Sequence, residues 1–575
     1  MLAVTTHDAA TTLALIVTIG VAGQWVASVA RIPSVLVLLL SGLAVGPLGG
    51  LIEPTADLGP ALFPAVGLAV GLLLFEGGLS LRLDKLGAAR SAVLRLVTVG
   101  AAVTWLVASA AVQALFGGSW KVSGLIGAIL VVSGPTVILP LLTQVRPREP
   151  GAAILRWEAI VIDPIGATLA IVMLDAAIEP SSPMAATRQI LLTLGSGAVV
   201  GLIAAAVTLV ALNYHAVPDR LHNPILLGFA IGAYSLANLI TPEAGLMAAT
   251  TLGMALANQH WVPARQIAAF SEDVAVILLG SLFVTLGALV EPDELAPVIP
   301  RSIVLLVVLA VVARPLAVWA STVGTAIDRN TRRYLATMAP RGIVAAAVAT
   351  VFANELAAEP GRAVPQLVPI VFTIVIGSVA FYGLTAAWWA RVTRVAKPSR
   401  TGLAIVGNHP AALEIADRLR QHDGVVLLVT SRRLLQAEAA RRGVLVYDGP
   451  LDDEDLGMAL EAAGIGQALL LTDDANLESH AAHHLGEHLG RARIHRVPVD
   501  ETSRQDRGYR LAFRTMTFSS LTDRDARYEI VAPADVAPHH VPLLELEEGQ
   551  ISFVNGTMSS GTAAILVVVR PTDST

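Results

Sequence analysis

The 575-residue sequence contains no cysteine. Disulfide frameworks, thiolate metal sites and cysteine nucleophiles are therefore excluded, while compartment stays open. Charge is also scarce: 15% of the residues are Asp, Glu, Lys or Arg and 54% are apolar, where soluble globular chains run nearer about 25% and about 45–50%. An ordinary soluble enzyme is excluded. There is no basic patch either. The net charge is −6 and the Lys and Arg residues fall in short scattered groups, so salt-dependent phosphate binding has nothing to work from and nucleic acid is set aside as a partner. No Lys or Arg precedes the first apolar run, since Met1 to Ala10 carries only His7 and Asp8. That is the wrong flank for a cleaved signal peptide, and the first hydrophobic stretch is expected to stay.

What is present divides into two bodies. Residues 1–398 hold about 22 Lys and Arg against 20 Asp and Glu, and residues 399–575 hold about 17 against 25, an acidic excess of about eight. The first body carries apolar runs of bilayer length at 11–29, 34–50, 61–80, 92–116, 122–143, 152–176, 189–212, 224–240, 244–258, 269–290, 301–323, 333–354 and 366–390. Loops rich in basic residues (Arg82, Lys85 and Arg90; Arg146, Arg148 and Arg156; Arg329, Arg332 and Arg333; Arg391 to Arg400) alternate with loops that are not, such as those bearing Glu53 and Asp57 or Glu291, Asp293 and Glu294. Basic loops face the cytoplasm. About 13 spans are predicted, with the N-terminus outside and the polar C-terminal region inside a cytoplasmic membrane.

An ionisable group in hydrocarbon costs several kcal/mol unless it is paired or faces water. Few such groups lie within the spans: Glu76, Glu158, Asp163, Arg314 and Arg341. Two further acids and two bases beside Asp163 could pair, which would leave one carboxylate to do work. Ser133-Gly134-Pro135-Thr136 interrupts the fifth run and Pro340-Arg341-Gly342 the twelfth. Proline removes a backbone donor, so each break exposes carbonyls and amides at mid-membrane depth. Counted as six spans, a linker span and six more, the breaks take the same place in each half. Paired interruptions of this kind predict an inverted-repeat secondary transporter with its site between the broken helices; ordinary proline kinks are the alternative.

These residues resemble the NhaP/NHE branch of the monovalent cation:proton antiporters over roughly 10–395. The likeness is carried by RIPSVLVLLLSGLAVGP (Arg31 to Pro47), LFEGGLSL (Leu74 to Leu81), SGPTVI (Ser133 to Ile138), EAIVIDPIGA (Glu158 to Ala167), EAGLMAATTLGMALAN (Glu243 to Asn258), ARPLAVW (Ala313 to Trp319) and PRG (Pro340 to Gly342). The resemblance implies an α-helical polytopic fold of 13 spans with an inverted repeat. It also implies a homodimer exchanging Na⁺ or K⁺ for protons by alternating access. Asp163 matches the family's ion-binding aspartate. Burial disfavours the charged form of a carboxylate and a bound cation favours it, so one group holds a proton or a cation but not both. Glu76, Ser133 and Thr136 match positions near the ion path that supply oxygen ligands; Glu76 could instead face a cytoplasmic funnel. Glu158, five positions before Asp163, lies about 140° around the helix and cannot share its face. The family pairs it with Arg314. Arg341 would compensate helix dipoles at the break or bias the pH response. Two departures stand out: Ile162 replaces the usual Asn before the aspartate, and Ala159 replaces a Ser. A third carboxylate beside Asp163 is absent, so electroneutral one-for-one exchange is expected.

From residue 400 the texture becomes strand and helix in alternation: strands at 403–407, 425–430, 444–449 and 468–472, helices at 410–421, 431–442, 453–463 and 474–489. A doubly wound parallel sheet over 400–500 is predicted. Through GLAIVGNHPAALEIADRL, YDGPLDDEDL and ALLLTDDANLESH it resembles the TrkA-N (RCK) regulatory domain. Of the nucleotide fingerprint only Gly407 survives, followed by Asn408, His409 and Pro410, while Arg432 and Arg433 stand after the second strand, where an acid usually holds a ribose. A bound nucleotide near Gly407 and Arg432 is one reading; a docking and dimerisation module is favoured. His480, His484 and His488 fall on one helical stripe, fit for a divalent metal, for pH sensing or for a solvated face. Residues 506–575 read as a small β-rich region with a hairpin turn at Asn555-Gly556. Two rivals complete the expectation. One is a ligand-gated K⁺ efflux system; the other is a nicotinamide-linked proton-translocating enzyme, which would need the intact turn this chain lacks. The main reading is a transporter, not an enzyme.

Overall fold

A backbone in hydrocarbon must satisfy its own hydrogen bonds, and the apolar runs accordingly form helices. The computed structural model describes residues 9–499, apart from 31, 85, 179–181, 214–216, 262–263, 359–363, 365 and 397–400, and residues 510–569, apart from 513–515, 524–525, 537–539, 548–549 and 555–563. The chain forms two compact units, Met1–Ala396 and Lys397–Thr575.

In the first unit, eight helices are long and apolar enough to cross a membrane: Ala9–Ala30, Pro54–Leu79, Arg90–Phe116, Gly151–Ile178, Pro183–Asn213, His222–Ile240, Ile299–Thr322 and Leu367–Val392. Five further segments complete the series among the described residues. They are Ser34–Val45, Ala244–Ala257, Ala264–Ala288, the pair Trp120–Ile129 with Pro135–Val145, and the pair Arg329–Leu335 with Ile343–Ala358. Eight and five make thirteen spans, as the hydropathy predicts. Large apolar side chains such as Trp25, Leu239 and Leu384 stand exposed on the outer helices, which is the pattern of a surface that meets lipid. The sixth span, Gly151–Ile178, is the most enclosed of the eight.

Corresponding devices recur in spans 1–6 and spans 8–13. The third span crosses the ninth where Gly78 meets Gly253, and the second crosses the tenth where Gly42 meets Gly287; a Cβ on any of these four would strike backbone of the partner helix. Small residues let membrane helices approach to backbone contact. The fourth and eleventh spans each contain a π-helical turn, Leu96–Gly100 and Leu309–Ala313. The fifth and twelfth are each broken.

The second unit is built on a six-stranded sheet in the order β3-β2-β1-β4-β5-β6. The strands are Gly402–Val406 (β1), Val426–Val429 (β2), Leu445–Tyr447 (β3), Ile465–Leu470 (β4), Ile494–Arg496 (β5) and Arg510–Leu511 (β6). Every pairing is parallel. This is the doubly wound order, with the switch point between β1 and β4. β6 carries the parallel sheet past residue 500 into the stretch read from sequence as a separate region. A four-stranded antiparallel sheet follows, ordered β7-β10-β8-β9, from Arg527–Val531 (β7), His540–Glu547 (β8), Gln550–Phe553 (β9) and Ala564–Val569 (β10). It shares a core with the first sheet through Leu403, Ile405, Leu544, Ile551 and Leu566, and Gln467 Nε2 donates to the Ile551 carbonyl at 2.8 Å. The expected turn at Asn555-Gly556 lies outside the described residues.

Candidate functional site

The site starts from two interrupted helices. In the fifth span, helix ends at Ile129 and resumes at Pro135, and Gly134 is extended at φ −62°, ψ 136°. In the twelfth, it ends at Leu335 and resumes at Ile343. The two extended stretches cross in direct backbone contact. A Cβ on Gly134 would stand 2.6 Å from the Gly342 Cα, and one on Gly342 would stand 2.7 Å from the Gly134 nitrogen, so the crossing admits glycine alone at both positions.

Each break strands the last carbonyls of the helix before it, and an arginine answers each. Arg341 Nη1 donates to the Val131 carbonyl at 3.0 Å, and its backbone N–H donates to Ser378 Oγ at 3.0 Å. Arg314 Nε donates to the Leu335 carbonyl at 2.8 Å. The remaining guanidinium edge of Arg314 makes a two-pronged pair with Glu158, through Nη1 to Oε1 and through Nη2 to Oε2 at 2.9 Å. Both partners are buried. A cation at a helix C-terminus is also favoured by the helix dipole, so the arginines stabilise the breaks by bond and by field. Of the two roles read from sequence for Arg341, the geometry matches the compensation of the break.

Asp163 differs from every one of these groups. It is fully buried on the sixth span, and neither carboxylate oxygen has a hydrogen-bond partner. One turn further along the same face, Gly166 abuts Val132 within the fifth-span break. Thr136, at the start of the resumed helix, is buried too, and its hydroxyl lacks a partner. Ser133 is buried beside it. Glu76 is half-buried on the third span. Its neighbour Gly77 touches Ile160, one turn before Asp163, which brings the Glu76 segment to the sixth span near the aspartate. Ile162 packs with Val97, Ala101 and Val131, so apolar surface fills the place where an amide was expected.

An isolated carboxylate in low dielectric costs several kcal/mol unless it is neutralised. A carboxylate so placed can be neutralised by a proton or by a small cation, and the oxygens of Asp163 and Thr136 are hard ligands of the kind alkali ions take. Sequence reading missed the bond from Arg314 to the Leu335 carbonyl, the role of Ser378 and the π-helical turn just before Arg314. None of the three has a local residue signature; π-turns gather at functional places in helices.

In the second unit the Gly407 turn is closed on itself. Gly407 packs on the Leu471 carbonyl, where a Cβ has no room. Asn408 Oδ1 accepts from Thr430 Oγ1 at 2.8 Å and from the Ser431 N–H at 3.2 Å, and Arg432 Nη1 donates to the Asn408 carbonyl at 3.1 Å. His409 caps the next helix by accepting from the Ala411 N–H at 3.2 Å, and burial lowers its pKa. The Ser431 and Ala411 N–H groups and one Arg432 nitrogen are thus spent internally, and Pro410 brings no donor, which weighs against the nucleotide reading of Gly407 and Arg432. The histidine stripe also fails as a metal site. The rings of His480 and His484 pack edge to face at 4.6 Å, whereas His488 lies against Gly457 on a different helix. No group of three ligands converges among the described residues.

Comparison with known proteins agrees with this geometry. Over 387 residues the chain is 27% identical to Na(+)/H(+) antiporter 1 of Methanocaldococcus jannaschii, covering 62% of this chain and 88% of that one. It is 24% identical over 382 residues to K(+)/H(+) antiporter NhaP2 of Shewanella oneidensis, covering 64% and 66%. The solved structure of the sodium proton antiporter MjNhaP1 from M. jannaschii at pH 8 superposes with a TM-score of 0.58 at 24% identity, covering 67% of this chain and 98% of that chain, which shows the same helical fold. The family model for the sodium/hydrogen exchanger transmembrane domain matches residues 12–392, which hold both broken helices and Asp163, and the chain belongs to that family.

Proposed function

We propose that this protein exchanges a monovalent cation for protons across the cytoplasmic membrane, one for one, with Asp163 as the group that holds either ion. The observation that carries the reading is the buried Asp163 carboxylate with no partner, set against a crossing of two broken helices in which the other described charges, Glu158, Arg314 and Arg341, are bonded. Thr136, Ser133 and Glu76 would complete the oxygen set. With one ionisable group in the set's centre, proton and cation exclude each other, and the exchange is electroneutral.

Na⁺ is the cation we favour; K⁺ is the second reading, supported by Ile162, which removes an amide oxygen from beside the site. The loop charges support an N-terminus outside and a cytoplasmic second unit. A homodimer is proposed on the family resemblance. The second unit is read as a docking and dimerisation module of the TrkA-N type, and its closed turn disfavours a nicotinamide-linked enzyme. The experiment is exchange in proteoliposomes with an imposed pH gradient and a panel of Na⁺, K⁺ and Li⁺. Asp163→Asn is expected to abolish exchange with every cation, and full activity in that variant would refute the mechanism.

A further inference from the structure

A cavity of about 230 Å³ lies between the third, eighth, ninth and twelfth spans, walled by Phe63, Gly67, Tyr234, Val344 and Val348, with Glu243 as the one charged residue of its lining. Its inner end is set by Val344, two residues beyond Gly342 at the crossing, and its outer end by the connector Thr241–Glu243. The third-span residues that line it stop at Val70. Glu76 lies six residues further on, about 9 Å along the helix axis toward the opposite face. The cavity therefore leads from the crossing to the side away from Glu76.

The connector is built to hold its acid there. Glu243 has φ +62°, a left-handed conformation uncommon for a residue with a Cβ, which persists where surrounding contacts enforce it. Beside it, Asn238 Oδ1 accepts the Gly245 N–H at 2.7 Å. Tyr234 finds room beside it because Gly67 carries no side chain; a Cβ there would stand 2.7 Å from the phenol oxygen. Burial, and then Glu355, push the Glu243 carboxyl up to about 7. The groups that face it are Tyr234 from the eighth span and Glu355 from the twelfth, with Asp175 of the sixth span next to Glu355.

We infer that Glu243 is the extracellular acid of the exchange path, which receives the monovalent cation at the outer mouth of this cavity and hands it to Asp163. The inference rests on the exchange reading and on the proposed orientation. It is tested with the full chain in right-side-out and inside-out membrane vesicles, measuring the KM for the transported cation on each face. Glu243→Gln is expected to raise the extracellular KM about fivefold or more, the scale of one unit charge acting across several ångströms at a partly buried place, and to leave the cytoplasmic KM within about twofold. Glu243→Asp, which keeps the charge and tolerates the left-handed backbone, is expected to restore the lower value. In the unaltered protein the extracellular KM should fall as external pH rises through about 7, because the acid then carries its charge; Glu243→Gln should remove that component and leave only the proton competition at Asp163. An unchanged extracellular KM, or equal shifts on both faces, overturns the inference while leaving the exchange reading intact. Absence of exchange by the unaltered protein overturns both.

Discussion

Replacing Glu158 by Leu would leave the Arg314 guanidinium buried with one bond, from Nε to the Leu335 carbonyl. Breaking a buried pair by removing one partner costs about 3–5 kcal/mol. Arg314→Met alone strands the Glu158 carboxylate at a similar cost and also orphans the Leu335 carbonyl, which adds about 1–3 kcal/mol. The double variant Glu158→Leu/Arg314→Met removes both charges and leaves only that carbonyl unmatched, so its loss should be about 1–3 kcal/mol. It should be the most stable of the three variants, with a large favourable coupling in the double-mutant cycle. The measurement is thermal unfolding of the purified protein in detergent followed by tryptophan fluorescence, with exchange in proteoliposomes as the second readout. A double variant as unstable as the two single losses combined, or a Glu158→Leu protein as stable as the unaltered one, would refute the view that the pair is architecture anchoring the eleventh and twelfth spans to the sixth.

Gly342→Ala should destabilise by about 1–3 kcal/mol through overpacking and slow exchange, because the atoms it meets belong to the Gly134 backbone and have no rotamer to give; Gly228→Ala, at a position with open space within 4 Å, should change neither, and unfolding temperature together with exchange rate checks both. Isothermal titration of the full chain with NAD(H) and NADP(H) should give no binding heat, and micromolar affinity for either would show that the Asn408 turn opens.

The thirteen spans were legible because lipid allows few answers to an apolar run. The breaks were legible because proline and glycine are blunt signals. The doubly wound parallel sheet of the second unit followed from the alternation of strand and helix, whereas β5 and β6 were not read from the sequence. What escaped was pairwise or rotameric. Arg341 reaches the Val131 carbonyl across 210 positions of sequence, and nothing local to either residue announces the bond. The contact of Gly134 with Gly342 is a property of two segments, neither of which is unusual alone. For the histidines, a spacing of four places residues on one stripe but does not fix χ1, and His488 turned to the glycine of a neighbouring helix. The fingerprint turn shows the reverse case: its missing glycines already argued against a nucleotide, and the structure adds an asparagine whose side chain and carbonyl are taken by Thr430, Ser431 and Arg432.

The two halves also differ in the helix that closes each of them. Each half closes with a helix that meets its own half's break, the sixth span at Val132 and the thirteenth at Arg341. On the thirteenth, Ser378 fills that place. Its hydroxyl accepts the Arg341 N–H at 3.0 Å and donates to the Val375 carbonyl at 3.0 Å, so both of its roles are taken. On the sixth, Gly166 meets Val132, and Asp163, one turn before it, has no hydrogen-bond partner at either carboxylate oxygen. Symmetry alone would yield two equivalent sites or none. A hydroxyl can give and take within the protein, whereas an ionised carboxylate only accepts, and the Arg341 guanidinium is bonded to the Val131 carbonyl. On the proposed exchange reading the transported ion meets the need left over at Asp163, and an arginine or amide introduced within reach of it is expected to stop exchange in proteoliposomes as effectively as removing the acid; undiminished exchange in such a variant would refute that reading.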